Sequence, residues 1–148
     1  MSMRVFVLSA FFAIACSAAG SDGVRTLGVR EKRIEIGAAP ATITLRVDRA
    51  SLRGAGGLAL RFEGLSVSRR PDTTFRIHLG TSAGEPAGEL SLYGVEGENG
   101  HAIRDVPVSA AAIESALGNG SSLRVVVTAA PGGDPGQAAF TRLRLIRQ

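Results

Sequence analysis

Residues 41–47 read ATITLRV and residues 74–80 read TFRIHLG. In the first stretch Ile43, Leu45 and Val47 alternate with Thr42, Thr44 and Arg46; in the second Phe75, Ile77 and Leu79 alternate with Thr74, Arg76 and His78. A period of two puts each set on its own side of an extended chain, so both stretches predict strands with one buried and one wet face. The same period recurs at 26–29, 33–36, 58–67, 89–95, 122–129 and 139–146, which are therefore strand candidates too. Between the runs stand GAAP (37–40), GAGG (54–57), RRPD (69–72), SAGEPAG (82–88), GENG (97–100) and PGGDPG (131–136). Turn chemistry at such short intervals suits two packed antiparallel sheets better than a parallel sheet with crossover helices. The fold class read from these patterns is all-β, a two-sheet antiparallel β-sandwich. One short helix is expected near residues 109–117, where SAAAIESAL opens on the capping residue Ser109 and stops at Gly118-Asn119-Gly120.

The chain has 148 residues, which is room for one modest domain. Residues 1–19 have the layout of a secretory signal: a basic start, MSMR, then the apolar run VFVLSAFFAIA, then small residues in ACSAAG. That run is too short to span a bilayer as a helix. Ala13-Ile14-Ala15-Cys16 resembles a bacterial lipoprotein box with Ala13 at a position usually held by Leu, so Cys16 is a lipidation candidate; ordinary cleavage after Ala15, Ala18 or Ala19 is the alternative. Residues 20–31 are expected as a tether and 32–148 as the folded domain. The expected location is outside the cytoplasm: periplasmic, attached to the outer membrane as a lipoprotein, or secreted. With a single cysteine in the sequence no disulfide forms within the chain, and the fold must rest on its core.

The formal charge of +4 comes almost wholly from arginine, with Lys32 the sole lysine. Arg46, Arg61, Arg76, Arg124, Arg142 and Arg144 are spread along strands and alternate with apolar residues, the mark of a solvated sheet face and not of a nucleic-acid groove. Chemistry is poorly supplied. His78 and His101 are the only histidines; with Glu96, Glu98 or Asp105 they are weak metal candidates, His78 expected on a solvated strand face and His101 in a loop. There is no G-x-S-x-G elbow, and neither Gly-rich loop opens a helix or carries the Lys-Ser/Thr of a phosphate loop. Glu89, Glu96 and Glu98 could pair as carboxylates, yet Trp is absent and Tyr93 is the sole tyrosine, so no aromatic platform accompanies them. No catalytic residue and no cofactor is assigned.

The order of segments resembles the C-terminal domain of tyrosinases and polyphenol oxidases. LALRFEGLSVSRRPDTTFRIHLGTSAGEPAGELSLYGV is similar to that family's succession of an "L-x-L-x-G-(I/L)" strand, an "F-x-V-(Y/F)-(L/V)-N" strand and an "(A/V)-G-x-(L/F)-S-(F/L)-(F/Y)" strand. The segment from Asn99 to Ile146 is similar to its Gly/His loop, its "D-(V/I)-T" strand end, its short helix and its two closing strands. The likeness runs from about Ile34 to Ile146. It departs at Gly80, where the family has Asn, and in a histidine loop reduced to His101. The resemblance implies a β-sandwich that packs over the mouth of a type 3 copper catalytic domain, shielding it and assisting its maturation. That catalytic domain is not in this sequence, so the resemblance implies a lid acting on a separately encoded copper oxidase or another envelope protein, with Tyr93 and His101 on the contact surface. The alternatives are a structural envelope lipoprotein without a copper partner and a copper-delivering accessory protein.

Overall fold

The computed structural model describes residues 23–54 and 56–148. The expected signal, Cys16 and the first residues of the tether lie outside the described residues. Eight strands follow in order: β1 (Arg25–Ile36), β2 (Ala41–Arg46), β3 (Leu58–Arg69), β4 (Phe75–Leu79), β5 (Gly88–Leu90), β6 (Ala102–Val108), β7 (Ser122–Ala129) and β8 (Gln137–Arg147). They form two four-stranded antiparallel sheets, ordered β1-β8-β3-β6 and β2-β7-β4-β5. Every connection except β4–β5 crosses from one sheet to the other. This is the strand order of a jelly roll, one of the double-sheet solutions to the edge problem of all-β chains. The all-β, two-sheet antiparallel sandwich expected from the alternation is the fold observed.

The alternating residues do what their period requires. Ile43, Leu45, Leu60, Phe62, Phe75, Ile77, Leu123, Val125, Leu143 and Leu145 meet between the sheets, each almost wholly buried. Phe62 and Phe140 pack edge to face at 5.1 Å between ring centroids, an arrangement favoured by the ring quadrupoles. The helix α1 (Ala110–Leu117) forms as expected: the Ser109 hydroxyl accepts from the Ala112 N–H at 3.1 Å, and Ile113 and Leu117 are buried.

Two glycines close the sandwich along its sides. A Cβ at Gly28 would lie 2.8 Å from the Arg46 carbonyl oxygen, where β1 passes β2; one at Gly88 would strike Val106, where β5 passes β6. Sheet edges are thus brought together and are also blunted. β1 carries register shifts at Thr26/Gly28 and Glu31/Ile34, and Arg30 is exposed at a register position facing inward. β5 has three residues, and β6 contains Pro107. Short strands, bulges, proline and inward charges are the usual guards against edge pairing.

Several expectations are corrected. The pieces 26–29 and 33–36 are one strand, β1, so residues 25–31 are not tether; the bulges interrupt the alternation that would have joined them. The strand expected over 89–95 stops at Leu90, because its sole partner β4 begins at Phe75, opposite Leu90; Gly94 (φ +78°) then turns the chain. β6 was not among the strands expected from alternation, though the resemblance matched a strand end at Asp105-Val106: Arg104 occupies an inward position and Ile103 an outward one, which hides the period.

Candidate functional site

The loops β1–β2, β3–β4, β5–β6 and β7–β8 gather at one end of the sandwich; β2–β3, β4–β5 and β6–β7, with α1, form the other. The first end is tightly built. The Asp72 N–H donates to the Asp134 carbonyl at 2.8 Å and the Ala130 N–H to that of Thr74 at 2.9 Å. Arg69 binds the Asp134 carboxylate at 2.7 Å, whose other oxygen accepts from the Gly136 N–H at 2.9 Å. Loops β3–β4 and β7–β8 therefore behave as one unit.

On this platform stands the β5–β6 loop. Leu92 and Val95 are buried, and between them Tyr93 is turned outward, 82% exposed. The Ser91 hydroxyl accepts from the Tyr93 N–H at 3.4 Å, and the left-handed Gly94 passes the chain into a 3-10 turn over Val95–Glu98. From β6 the Arg104 guanidinium donates to the Tyr93 carbonyl at 3.1 Å and to Glu98 at 3.3 Å, fixing the loop from below. Beside Tyr93 lies a depression of about 460 Å³ lined by Arg70, Asp72, Thr73, Thr74, Ser91 and Glu96, among others, with Arg70 and Glu96 paired at 3.6 Å. Its open, mixed lining suits contact with a surface more than enclosure of a small molecule.

His101 belongs to the same loop but faces elsewhere. It lines a groove of about 530 Å³ with Glu31, Glu63, Ile103, Thr141 and Arg142 on the outer face of the β1-β8-β3-β6 sheet. Tyr93 and His101, which the resemblance puts on one contact surface, thus line two different depressions. His78, expected on a solvated face, is only 6% exposed. β4 is an interior strand, so its outward positions are walled by neighbours; His78 stands opposite the buried Val126, and its Nε2 lies 3.3 Å from the Thr128 hydroxyl. His78 and His101 are on the outer faces of opposite sheets, and a site using both does not assemble. Among the described residues no three His, Cys, Asp or Glu side chains group to hold a metal ion. Glu89 lies opposite Arg76 on the β2-β7-β4-β5 sheet, apart from Glu96 and Glu98 in the β5–β6 loop.

The His101 groove borders a charge ladder that the sequence did not foretell. Across the outer face Arg142 binds Glu31 at 2.7 Å and Glu63 at 3.3 Å, and Arg144 also binds Glu63. Arg61 makes a two-pronged pair with Asp105, both contacts at 2.8 Å. Three arginines meet three carboxylates, so this face neutralises itself. Cross-strand register brings the charges together, and register is absent from the spacing along any one strand. No family model, curated protein or solved structure matches the chain.

Proposed function

We propose that the chain is a non-catalytic binding module whose loop end seats on a second protein, and that this partner is a separately encoded type 3 copper oxidase. The partner's identity rests on the sequence resemblance alone. The mode of binding is supported by Tyr93: a large amphipathic ring, held outward by its buried neighbours Leu92 and Val95 and by Arg104 beneath. A rigid exposed aromatic supplies contact area with little entropy left to lose, which is how interface anchors work. Arg70 and Glu96 beside it give a charged rim. Strand addition, the other route by which a sandwich takes a partner, is disfavoured by the blunted edges. Copper delivery through His78 and His101 has no support in their placement on opposite faces.

The test adds the purified chain to the type 3 copper oxidase of the same organism and follows diphenol turnover. Turnover falls with the wild type and recovers with Tyr93→Ala. Unchanged turnover, with no complex on size exclusion, rejects this partner. Phenol oxidation by the isolated chain supplied with copper rejects the non-catalytic role.

A further inference from the structure

The charges of this sandwich are distributed unequally. At the loop end and on the β1-β8-β3-β6 face, arginines are matched to carboxylates: Arg69 to Asp134, Arg70 to Glu96, Arg104 to Glu98, and the ladder described above. At the opposite end, on the β1/β2 side, they are not. Arg25 starts β1; Arg46 ends β2; Arg49 and Arg53 follow in the β2–β3 connection; Arg124 lies near the start of β7, one register step from Arg46 on the same face. All five are exposed, and no described carboxylate is at ion-pair distance from any of them. The contact of Gly28 with the Arg46 carbonyl brings the start of β1 alongside the end of β2, and Arg25 stands opposite Arg147, whose guanidinium donates to the Ser51 and Gly54 carbonyls of the β2–β3 connection, so the five gather at one corner. Asp48 lies within the corner and offsets one of its charges, its carboxylate accepting from the Ala50 N–H, so the five arginines leave a cationic excess; Glu85 and Glu114 lie on the α1 side.

The chain enters the sandwich at this same corner, since β1 begins there, and the 22 residues before Gly23 include the apolar run VFVLSAFFAIA and Cys16. We infer that the arginine corner is a docking surface for an anionic lipid membrane. Charge complementarity selects the sign of the partner, and Cys16, the lipidation candidate seven residues before Gly23, selects a bilayer over a soluble polyanion. Clustered arginines bind an anionic bilayer additively within a Debye length of its surface, and they supply the second signal that a single lipid anchor needs for stable attachment. Docked so, the sandwich stands with its loop end away from the lipid. The 12 residues of β3, at about 3.3 Å each, place Tyr93 roughly 35–40 Å above the surface, within reach of a partner that is not itself in the membrane.

The experiment compares the full chain with the full chain carrying Arg46→Gln, Arg49→Gln and Arg124→Gln, in sedimentation with vesicles of pure phosphatidylcholine and of phosphatidylcholine with phosphatidylglycerol at roughly three to one. Wild type and triple variant carry the same leader, basic start included, so the difference between their preferences for the anionic vesicles reads the patch. The wild type prefers anionic vesicles, the preference shrinks as salt is raised, and the triple variant lowers it by about fivefold per arginine, about a hundredfold in all. Arg142→Gln, in the self-neutralised ladder, leaves it unchanged. Equal partition of the wild type between the two vesicle types overturns the inference, as does a triple variant that melts normally and keeps its preference. Inorganic polyphosphate that holds the chain as tightly as the anionic vesicles overturns the membrane as occupant. Tyr93→Ala leaves vesicle binding intact, which separates failure here from failure of the loop-end reading.

Discussion

Replacing Gly136 by alanine is expected to damage the loop end far more than the same change at Gly94, although both glycines have left-handed backbone, with φ of +61° and +78°. At Gly94 a new Cβ meets nothing within 4 Å. Its cost is the backbone term alone, about 1–2 kcal/mol for an L-residue held in that region. At Gly136 the Cβ would lie 2.6 Å from Pro71 N and 2.8 Å from the Arg70 carbonyl carbon, and would strike the Arg69 carbonyl oxygen as well. These are backbone atoms, fixed by the Arg69–Asp134 pair and by the Asp72–Asp134 bond, so they do not swing away. Overpacking against such neighbours adds about 1–3 kcal/mol to the backbone term, for a total of about 2–5 kcal/mol. For a domain of this size each kcal/mol moves Tm by about 3–5 °C, so Gly136→Ala should melt about 6–25 °C below wild type, centred on about 14 °C, and Gly94→Ala about 3–10 °C below, centred on about 6 °C. Calorimetric or circular-dichroism melts of the two variants in parallel, backed by urea titration, measure the gap. Equal melting temperatures would refute the idea that loops β3–β4 and β7–β8 are a rigid unit seamed at Gly136.

Phe140→Ala should lose about 3–5 kcal/mol in urea denaturation, because the ring is fully buried against Phe62 and leaves a cavity between the sheets. His78→Leu together with Thr128→Val should change stability by less than about 1 kcal/mol, since both ends of one hydrogen bond are removed together. Thr128→Val alone strands the buried His78 ring, whose Nδ1 already has no partner among the described residues, and should cost about 1–3 kcal/mol, whereas His78→Leu alone leaves only the half-buried Thr128 hydroxyl and should cost less; a double-mutant cycle reads the difference. Glu63→Gln should cost about 1–2 kcal/mol by removing the anion shared by Arg142 and Arg144, and the loss should shrink in concentrated salt. Tyr93→Ala should leave Tm within about 2 °C of wild type, as expected of an exposed side chain that supports nothing beneath it.

The fold was readable where one strand's own period was enough. ATITLRV and TFRIHLG announce their buried faces, and Ser109 with Gly118 announces α1. Reading failed where neighbouring strands decide. His78 stands at an outward position and looks solvated by alternation, but its burial is set by Val126 and Thr128 on β7. β6 was hidden because Arg104 takes an inward position in order to reach the Tyr93 carbonyl and Glu98, a task visible only once the loop is folded above it. Tyr93 itself was singled out in the sequence, and the alternation that buries Leu90 and Leu92 already sets it on the opposite face; what the period could not show is that Val95, on the same alternating set as Tyr93, is buried once Gly94 turns the chain. The charge ladder was invisible for the same reason as His78, and with it the contrast that makes the arginine corner stand out.

That contrast constrains how the molecule meets others. A sandwich has two faces, four sheet edges and two ends. One face neutralises itself through the ladder, so it offers an approaching charge little net field. Three of the edges are blunted by bulges and an inward charge, by shortness or by proline, and β2 is approached by β1 at Gly28. The two ends differ in kind. One is seamed by hydrogen bonds and presents a rigid aromatic, a feature that gains most from a dry, shaped protein surface. The other presents arginines without carboxylate partners, a feature that gains most from a laterally extended anionic surface. Had the arginines served solubility alone, placement beside the available acids or dispersal over both faces would have served as well. Their excess over the acids, at the corner where the chain enters, is what favours a molecule held at one end and binding with the other.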